Sequence, residues 1–199
     1  MAEPATAITD FILAASSWWF ARRLRDGTSS AARRWWSRAF VFIGAGALAG
    51  GVWHGFHQVM PPVVDSSLWR LCLLLTLASS LCLWQAAATG FPLASHPESW
   101  RRLGWLKAAA CAVLALLRPE FLVVLTDFAA SMLFLAVRTL LNRHRPEAPA
   151  FLTALALFAA GAAIQSQGWA PHAGFNHNDL FHVIQLAANC VFFVGARKT

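Results

Sequence analysis

The sequence predicts an all-α membrane protein with seven transmembrane helices. Of its 199 residues, 58% are apolar and 13% are charged, and the mean hydropathy is +0.52. This composition is far from that of a soluble globular domain. A transmembrane helix needs about 20 mostly apolar residues. Seven stretches of roughly that length use most of the chain, so we expect one seven-helix transmembrane domain over residues 1–199 and no separate soluble domain.

The predicted spans differ in strength along the chain. They cover residues 5–21, 39–57, 70–90, 103–118, 121–140, 151–168 and 179–196. The first is short and rich in Trp and the fourth is rich in Ala, which makes these two the weakest. The N-terminal apolar run has no basic residues before it and carries Glu3 and Asp10, so we interpret it as a span and not as a signal peptide. The four cysteines fall inside spans without a C-x-x-C spacing, as expected of apolar packing residues.

The basic residues indicate the orientation of the spans. Fourteen of the sixteen fall at alternate span ends or just inside them, and Arg70 and Arg118 are the two exceptions. Loops rich in Lys and Arg stay in the cytoplasm, so this pattern predicts an N-terminus outside, a C-terminus in the cytoplasm and an odd number of spans. The net charge of +7 is therefore a topology signal, and we expect no nucleic-acid partner. Ala, Arg and Trp bias is typical of a GC-rich bacterium, which predicts a multi-pass protein of the bacterial inner membrane.

Polar residues concentrate in the halves of the spans that this orientation places outside. A charged group in the middle of a span costs roughly 2.5–3.5 kcal/mol and usually faces a cavity or a partner. The spacing in span seven makes one polar stripe, and the others lie near it or on neighbouring spans. The stripe comprises Asn178, His182, Gln185 and Asn189, and the other residues are Asp10, His54, His57, Asp65, Asp127, His177 and Asp179. We expect spans one, two, five and seven to turn these groups toward one polar pocket that opens outward.

Two short segments resemble the CREST superfamily, the seven-span proteins that include alkaline ceramidases and progestin and adiponectin receptor-like proteins. The segment GGVWHGFHQVMPPVVD contains His54 and, eleven residues later, Asp65, and NDLFH ends in His182. The family pattern has a Ser where this chain has Gly50, and a further His where it has Asn178. The phrase FNHNDLFHVIQ is also similar to an uncharacterised bacterial seven-span group, which implies no activity.

The CREST resemblance implies a zinc-dependent hydrolase that acts on a lipid amide or ester. Zinc binds imidazole nitrogen at about 2.0–2.1 Å, and a catalytic zinc keeps one position open for water. The implied ligands are His54 and His182 with His177 or His57 as the third, and Asp65 orients the water or acts as general base. The remaining polar residues would hydrogen-bond to the ligand histidines and fix the orientation of their rings. They are Asp10, Asp127, Asn178, Asp179 and Gln185.

Two other functions and several structural roles remain open. The same His and Asp residues fit a receptor or transporter that binds a ligand, a metal or protons without turnover, and they also fit helix-to-helix contacts in a subunit of a larger complex. Asn178 and Asp179 open a helix, where such residues cap free N–H groups. Asp65 precedes a predicted span and could likewise cap it. All of these functions imply a membrane-lipid environment, and the hydrolase also implies a lipid-like substrate.

Overall fold

The fold is entirely helical. The computed structural model describes residues 3–26, 30–91, 97–172 and 174–199. Within these residues seven α-helices form and no strand does, apart from an isolated bridge between His172 and Phe175. The helices are α1 Pro4–Arg25, α2 Ala31–Phe56, α3 Pro62–Gly90, α4 Pro97–Leu117, α5 Phe121–Leu141, α6 Ala148–Ser166 and α7 His177–Ala196. Each predicted span coincides with one of these helices, so the all-α prediction is confirmed.

Five of the helices are long and apolar enough to cross a membrane. They are α2 with the short 3₁₀ turn that extends it to Val59, α3, α5, α6 and α7. The helices α1 and α4 are as long as α5 and α6 but are less apolar, because α1 contains several Ser, Thr and Trp residues and α4 contains Arg101, Arg102 and Lys107. The structure therefore gives the chain the character of a membrane protein.

Local sequence signals explain where several helices begin. The side chain of Ser30 accepts a hydrogen bond from the Arg33 N–H at the start of α2, and prolines occupy the first turns of α1, α3 and α6. Proline is tolerated there because the first N–H groups of a helix have no partner within the helix. Asn176 and Asp179 form a reciprocal capping box at the start of α7. Such caps satisfy N–H groups that have no partner within the helix, and so favour a helix start at these residues.

Six helices form a closed ring, and α4 lies outside it. In the order α1, α2, α3, α5, α6, α7 each helix packs on the next, and α7 returns to α1, whereas α4 packs on α3 and α5. Glycines allow a close approach between α1 and α2: a Cβ atom at Gly44 would lie 2.6 Å from the Trp18 indole nitrogen. An aromatic core closes one end of the ring, where Trp36 stacks on Phe151 at 4.9 Å. We call it the Trp36 end, and the opposite end, with Glu3, His54 and Asn176, the His54 end.

Candidate functional site

The ring of helices encloses a cavity of about 400 Å³. Six helices line it, which adds α3 and α6 to the four spans expected from the sequence. At the His54 end its wall is polar, with Asp10, His54, Gln165, Asn178, His182 and Gln185. Toward the middle of the bundle its wall is mostly apolar, with Leu13, Phe42, Ile43, Val124, Phe128 and Phe158. A cavity with one polar end and an apolar body fits an amphiphilic molecule.

One side of the cavity is open to the outer surface of the bundle. Phe121 and Leu125 of α5 line the cavity, yet their exposed fractions are 46% and 45%. The helices α5 and α6 pack less extensively on each other than α6 and α7 do. The cavity therefore reaches the surface beside α5.

His54 and His182 lie side by side at the polar end. His54 stands in the last turn of α2 and His182 in the second turn of α7, and their ring centroids are 6.5 Å apart. Both rings line the cavity. The polar stripe of α7 faces inward as the spacing predicted: Gln185 also lines the cavity, and Asn189 is buried one turn deeper.

The partners of His182 fix the position of one of its protons. The Thr9 hydroxyl donates to the backbone oxygens of Ala5 and Thr6, at 3.1 and 2.9 Å, and its oxygen lies 3.1 Å from His182 Nδ1. Since the hydroxyl hydrogen is already used, Nδ1–H is the donor in this contact. His182 Nε2 then lies 3.5 Å from Asp10 Oδ1. Two bare acceptors would repel at that distance, so this contact is favourable only when the imidazole or the carboxyl group carries a proton there.

His54 is held in the same way by a second carboxylate. Its Nδ1 lies 2.9 Å from Glu3 Oε2, and the Glu3 N–H donates to the His54 backbone oxygen at 3.2 Å. A carboxylate only accepts hydrogen bonds, so Nδ1 carries the proton. Nε2 is then the ring nitrogen of His54 that remains for a ligand in the cavity.

Asp10 reaches this site because α2 has glycines opposite it. Asp10 is buried, with 4% of its surface exposed. A Cβ atom at Gly50 would lie 3.3 Å from Asp10 Oδ2, and one at Gly51 would lie 3.0 Å from Asp10 Cβ. Gly50 is the position at which the CREST pattern has a Ser, so here the Asp10 carboxylate occupies the space that a side chain at residue 50 would need.

The start of α7 connects this site to α1 through a third carboxylate. Asp179 accepts from the Asn176 N–H at 2.6 Å and from the Thr6 hydroxyl at 2.7 Å. Asp179 is therefore a capping residue and also a contact between helices. Asn178 lines the cavity, and its side-chain oxygen accepts from Gln165 Nε2 at 3.1 Å.

Five predicted site residues do not line the cavity, namely Asp65, His57, His177, Asp179 and Asp127. Asp65 accepts a hydrogen bond from the Trp53 indole at 2.9 Å, and the His57 ring stacks on the same indole at 4.7 Å. His177 is the first residue of α7 and lies outside the cavity wall. Trp53 thus separates Asp65 and His57 from the cavity, because its ring lines the wall that they lie behind.

Asp127 belongs to a different polar cluster. Its carboxylate forms a short ion pair with Lys107 of α4, whose ammonium group also donates to the Asp127 backbone oxygen at 3.2 Å and to Ser80 Oγ at 3.4 Å. Lys107 had counted toward the basic residues near a cytoplasmic end, and it lies instead in the middle of α4. Thirteen of the fourteen basic residues remain near the helix ends that the sequence predicts to be cytoplasmic, and the orientation itself stays a prediction.

Sequence reasoning missed two residues that orient the histidines, Glu3 and Thr9. Glu3, Thr6 and Asp10 follow the spacing i, i+3, i+7, so helical periodicity alone gave a signal for Glu3. Thr9 had no such signal, since its role depends on the packing of α7 against α1.

The described residues do not match the predicted zinc site. Among residues 3–26, 30–91, 97–172 and 174–199, no three His, Cys, Asp or Glu side chains are grouped so that they could hold a metal ion. His54 and His182 would supply two nitrogens, but His57 and His177, the predicted third ligands, lie outside the cavity wall. The arrangement instead gives two imidazoles whose Nδ1 atoms are anchored by acceptors.

Comparison with known families assigns the chain to a family. Residues 5–199 match the family model DUF6962, described as a family of unknown function. Since the match covers nearly the whole chain, the protein belongs to this family. No curated protein and no solved structure matches the chain.

Proposed function

We propose that this member of the DUF6962 family is a seven-span integral membrane protein that binds a lipid-like amphiphile and hydrolyses an amide or ester bond in it. The observation that carries the proposal is the cavity, in which two anchored imidazoles and a buried carboxylate stand at one end of an apolar chamber. The apolar part suits an acyl chain, and the polar end suits the bond between the chain and its head group. The CREST resemblance, itself part of the proposal, points to the same class of substrate.

The proposed topology includes α1 and α4 as spans, with the N-terminus outside. Helices of 22 and 21 residues are about 32 Å long, which matches a hydrocarbon core of about 30 Å. Large apolar residues on both point away from the bundle, as lipid-facing residues do: Ile8, Ile12 and Trp19 on α1, and Leu106, Val113 and Leu117 on α4 are each at least 50% exposed. The basic residues at the Trp36 end support a cytoplasmic position for that end.

His54 is the general base in the proposed reaction. Its Nε2 accepts a proton from a water molecule while the water oxygen attacks the carbonyl carbon, and the resulting imidazolium returns the proton to the leaving nitrogen or oxygen as its bond to carbon breaks. Glu3 holds the Nδ1 proton at 2.9 Å and stabilises the imidazolium, the role that a carboxylate has behind a catalytic histidine. The proton held between His182 Nε2 and Asp10 Oδ1, which are 3.5 Å apart, supplies the hydrogen bond to the carbonyl oxygen as its charge develops. The described residues contain no group of three possible zinc ligands, and the proposed step uses only the side chains named above.

Hydrolysis is tested by reconstituting the protein in liposomes with a panel of fluorescent N-acyl amides and acyl esters. We expect the purified protein to release product from at least one substrate, and His54→Gln to lower kcat by about 100-fold or more, because general-base catalysis contributes roughly 10²–10⁴. His144→Gln is the matched control, since His144 is an exposed residue in the turn before α6. Zinc content is measured on the same samples. Equal turnover by His54→Gln and His144→Gln would refute the assigned base.

A second candidate is a non-enzymatic receptor or transporter that uses the same cluster. The observation that favours it is the continuous array of titratable groups, in which Glu3 contacts His54, His54 neighbours His182, and His182 contacts Asp10. Such an array takes up or releases a proton when a ligand arrives. Saturable binding of a lipid amide without product release, with proton uptake in unbuffered solution, would favour this function over hydrolysis.

The topology is tested separately by cysteine labelling in whole cells. In a variant without the four native cysteines, we expect Cys introduced at His172 to react with a membrane-impermeant maleimide from outside. Cys introduced at His144 should react only after the cells are opened. Both positions are exposed. Labelling of the residue 144 cysteine from outside would reverse the proposed orientation without affecting the test of hydrolysis.

A further inference from the structure

A second concave site lies at the Trp36 end, between the last turns of α1 and the first half of α2. It has a volume of about 540 Å³ and is lined by Trp18, Ala21, Arg22, Arg25, Asp26 and Val41. We call this site the α1–α2 groove. Nothing in the proposed hydrolysis uses it, and it lies at the opposite end of the bundle from His54.

The groove separates charge from apolar surface along the helix axis. Arg22 and Arg25 are in the last turn of α1 and are exposed. Trp18 lies four residues before Arg22, which is about 6 Å deeper along the helix. Val41 of α2 faces Trp18. Trp18 and Val41 are 41% and 38% exposed. A molecule in the groove would therefore meet cations at the membrane surface and apolar side chains below them.

The deeper part of the groove is built by specific contacts. The Trp18 indole N–H donates to the Val41 backbone oxygen at 3.2 Å, which holds the ring across the face of α2. Gly44 is required for this position, since a Cβ atom there would lie 2.6 Å from the Trp18 nitrogen and 2.7 Å from Cδ1. A flat ring with an exposed face next to two guanidinium groups suits the glycerol and upper acyl region of a lipid.

We propose that the α1–α2 groove binds an anionic phospholipid of the leaflet at the Trp36 end, with its phosphate between Arg22 and Arg25. Guanidinium groups bind phosphate through paired, charge-assisted hydrogen bonds. The groove carries two positive charges and the single negative charge of Asp26, and Arg23 lies next to it, over the Trp19 ring at 5.3 Å. This net positive charge favours a lipid of net negative charge over a zwitterionic one. With the proposed topology, that leaflet is the cytoplasmic one.

The proposal is tested by native mass spectrometry of the purified full chain in detergent. The protein is titrated with dioleoyl phosphatidylglycerol and, separately, with dioleoyl phosphatidylcholine. We expect one phosphatidylglycerol molecule to bind at least about tenfold more tightly than phosphatidylcholine. Two surface arginines account for a change of about 30-fold in affinity for an anionic lipid, so the Arg22→Gln/Arg25→Gln variant should lose about that much.

Two variants separate the groove from general attraction to a basic surface. Arg102→Gln/Arg143→Gln removes the same charge from exposed residues that do not line the groove, and we expect its affinity to change less than threefold. Val41→Trp fills the apolar part without changing charge, and we expect it to weaken phosphatidylglycerol binding. An equal loss in the control pair, no effect of Val41→Trp, or equal affinity for the two lipids would overturn the proposal. Binding of glycerol phosphate as tight as that of the lipid would also overturn it, since the occupant would then be a soluble phosphate.

Discussion

The substitution Asp127→Asn tests whether the pair of Lys107 and Asp127 holds α4 on the bundle. The Lys107 side chain is 15% exposed and that of Asp127 is fully buried. Lys107 is in the middle of α4, and its ammonium group reaches Asp127 of α5 and Ser80 of α3. The amide of Asn keeps the shape of the carboxyl group but removes its charge, so a buried ammonium group loses its counterion.

The expected cost follows from the burial of both partners. Removing one member of a buried ion pair costs about 3–5 kcal/mol, because the remaining charge stays desolvated without compensation. The matched control is Glu98→Gln, which breaks an exposed pair with Arg101 at 3.0 Å, whose side chains are 59% and 40% exposed. Exposed pairs contribute about 0–1 kcal/mol. Unfolding in mixed micelles, followed by tryptophan fluorescence, measures the free energy of unfolding of both variants.

A double variant identifies the cause of the loss. Lys107→Met/Asp127→Leu removes both charges and keeps apolar volume, and such replacements are often neutral or stabilising. We expect it to recover most of the stability that Asp127→Asn loses. If Asp127→Asn differs from Glu98→Gln by less than about 1 kcal/mol, or if the double variant is as unstable as the single one, an unpaired buried charge does not explain the role of this pair.

Three further substitutions test other contacts. Asn176→Ala removes the cap of α7 and should lower stability by about 0.5–2 kcal/mol, measured by the same unfolding assay, whereas Asn176→Asp should keep it. Gly104→Val places a Cβ atom where it would lie 2.4 Å from Trp84 Cδ1; we expect a loss of about 1–3 kcal/mol and a shift in tryptophan emission, and an unchanged spectrum would contradict the close packing. Thr9→Val removes the acceptor of His182 Nδ1–H, so the ¹⁵N chemical shifts of that ring should change toward the other tautomer, and unchanged shifts would refute the assignment.

The helices could be predicted from the sequence because apolar length and helical polar stripes are local properties. The stripe on α7 is an example: Asn178, His182 and Gln185 all line the cavity, since residues three or four apart share one face of a helix whatever it packs against. The capping role of Asp179 is local as well. Its bond to Thr6 is not, because it depends on which helix lies next to α7.

The errors in the predicted site arise from neighbours that sequence spacing does not specify. Asp65 follows His54 by eleven residues, but a turn and the start of α3 intervene, and the Trp53 indole binds its carboxylate instead. Asp127 was assigned to the pocket because a carboxylate within a span needs a partner. Asp127 does have such a partner, but the partner is Lys107. Lys107 lies in a weakly apolar helix, so the sequence made it look like a residue of a cytoplasmic end.

Asp10 and Asp127 together separate a structural polar group from a functional one. Both are buried carboxylates in helices of the bundle. Asp127 forms an ion pair with Lys107, and this pair joins α4 to α5. The charge of Asp127 therefore has a structural role. Asp10 faces an imidazole across 3.5 Å, in the wall of a cavity and opposite two glycines that leave room for it. A proton between a carboxyl group and an imidazole can move from one to the other when a ligand enters the cavity. The Lys107 ammonium group is held in its ion pair and cannot change its charge in this way. This difference is the physical reason to look for chemistry at the His54 end.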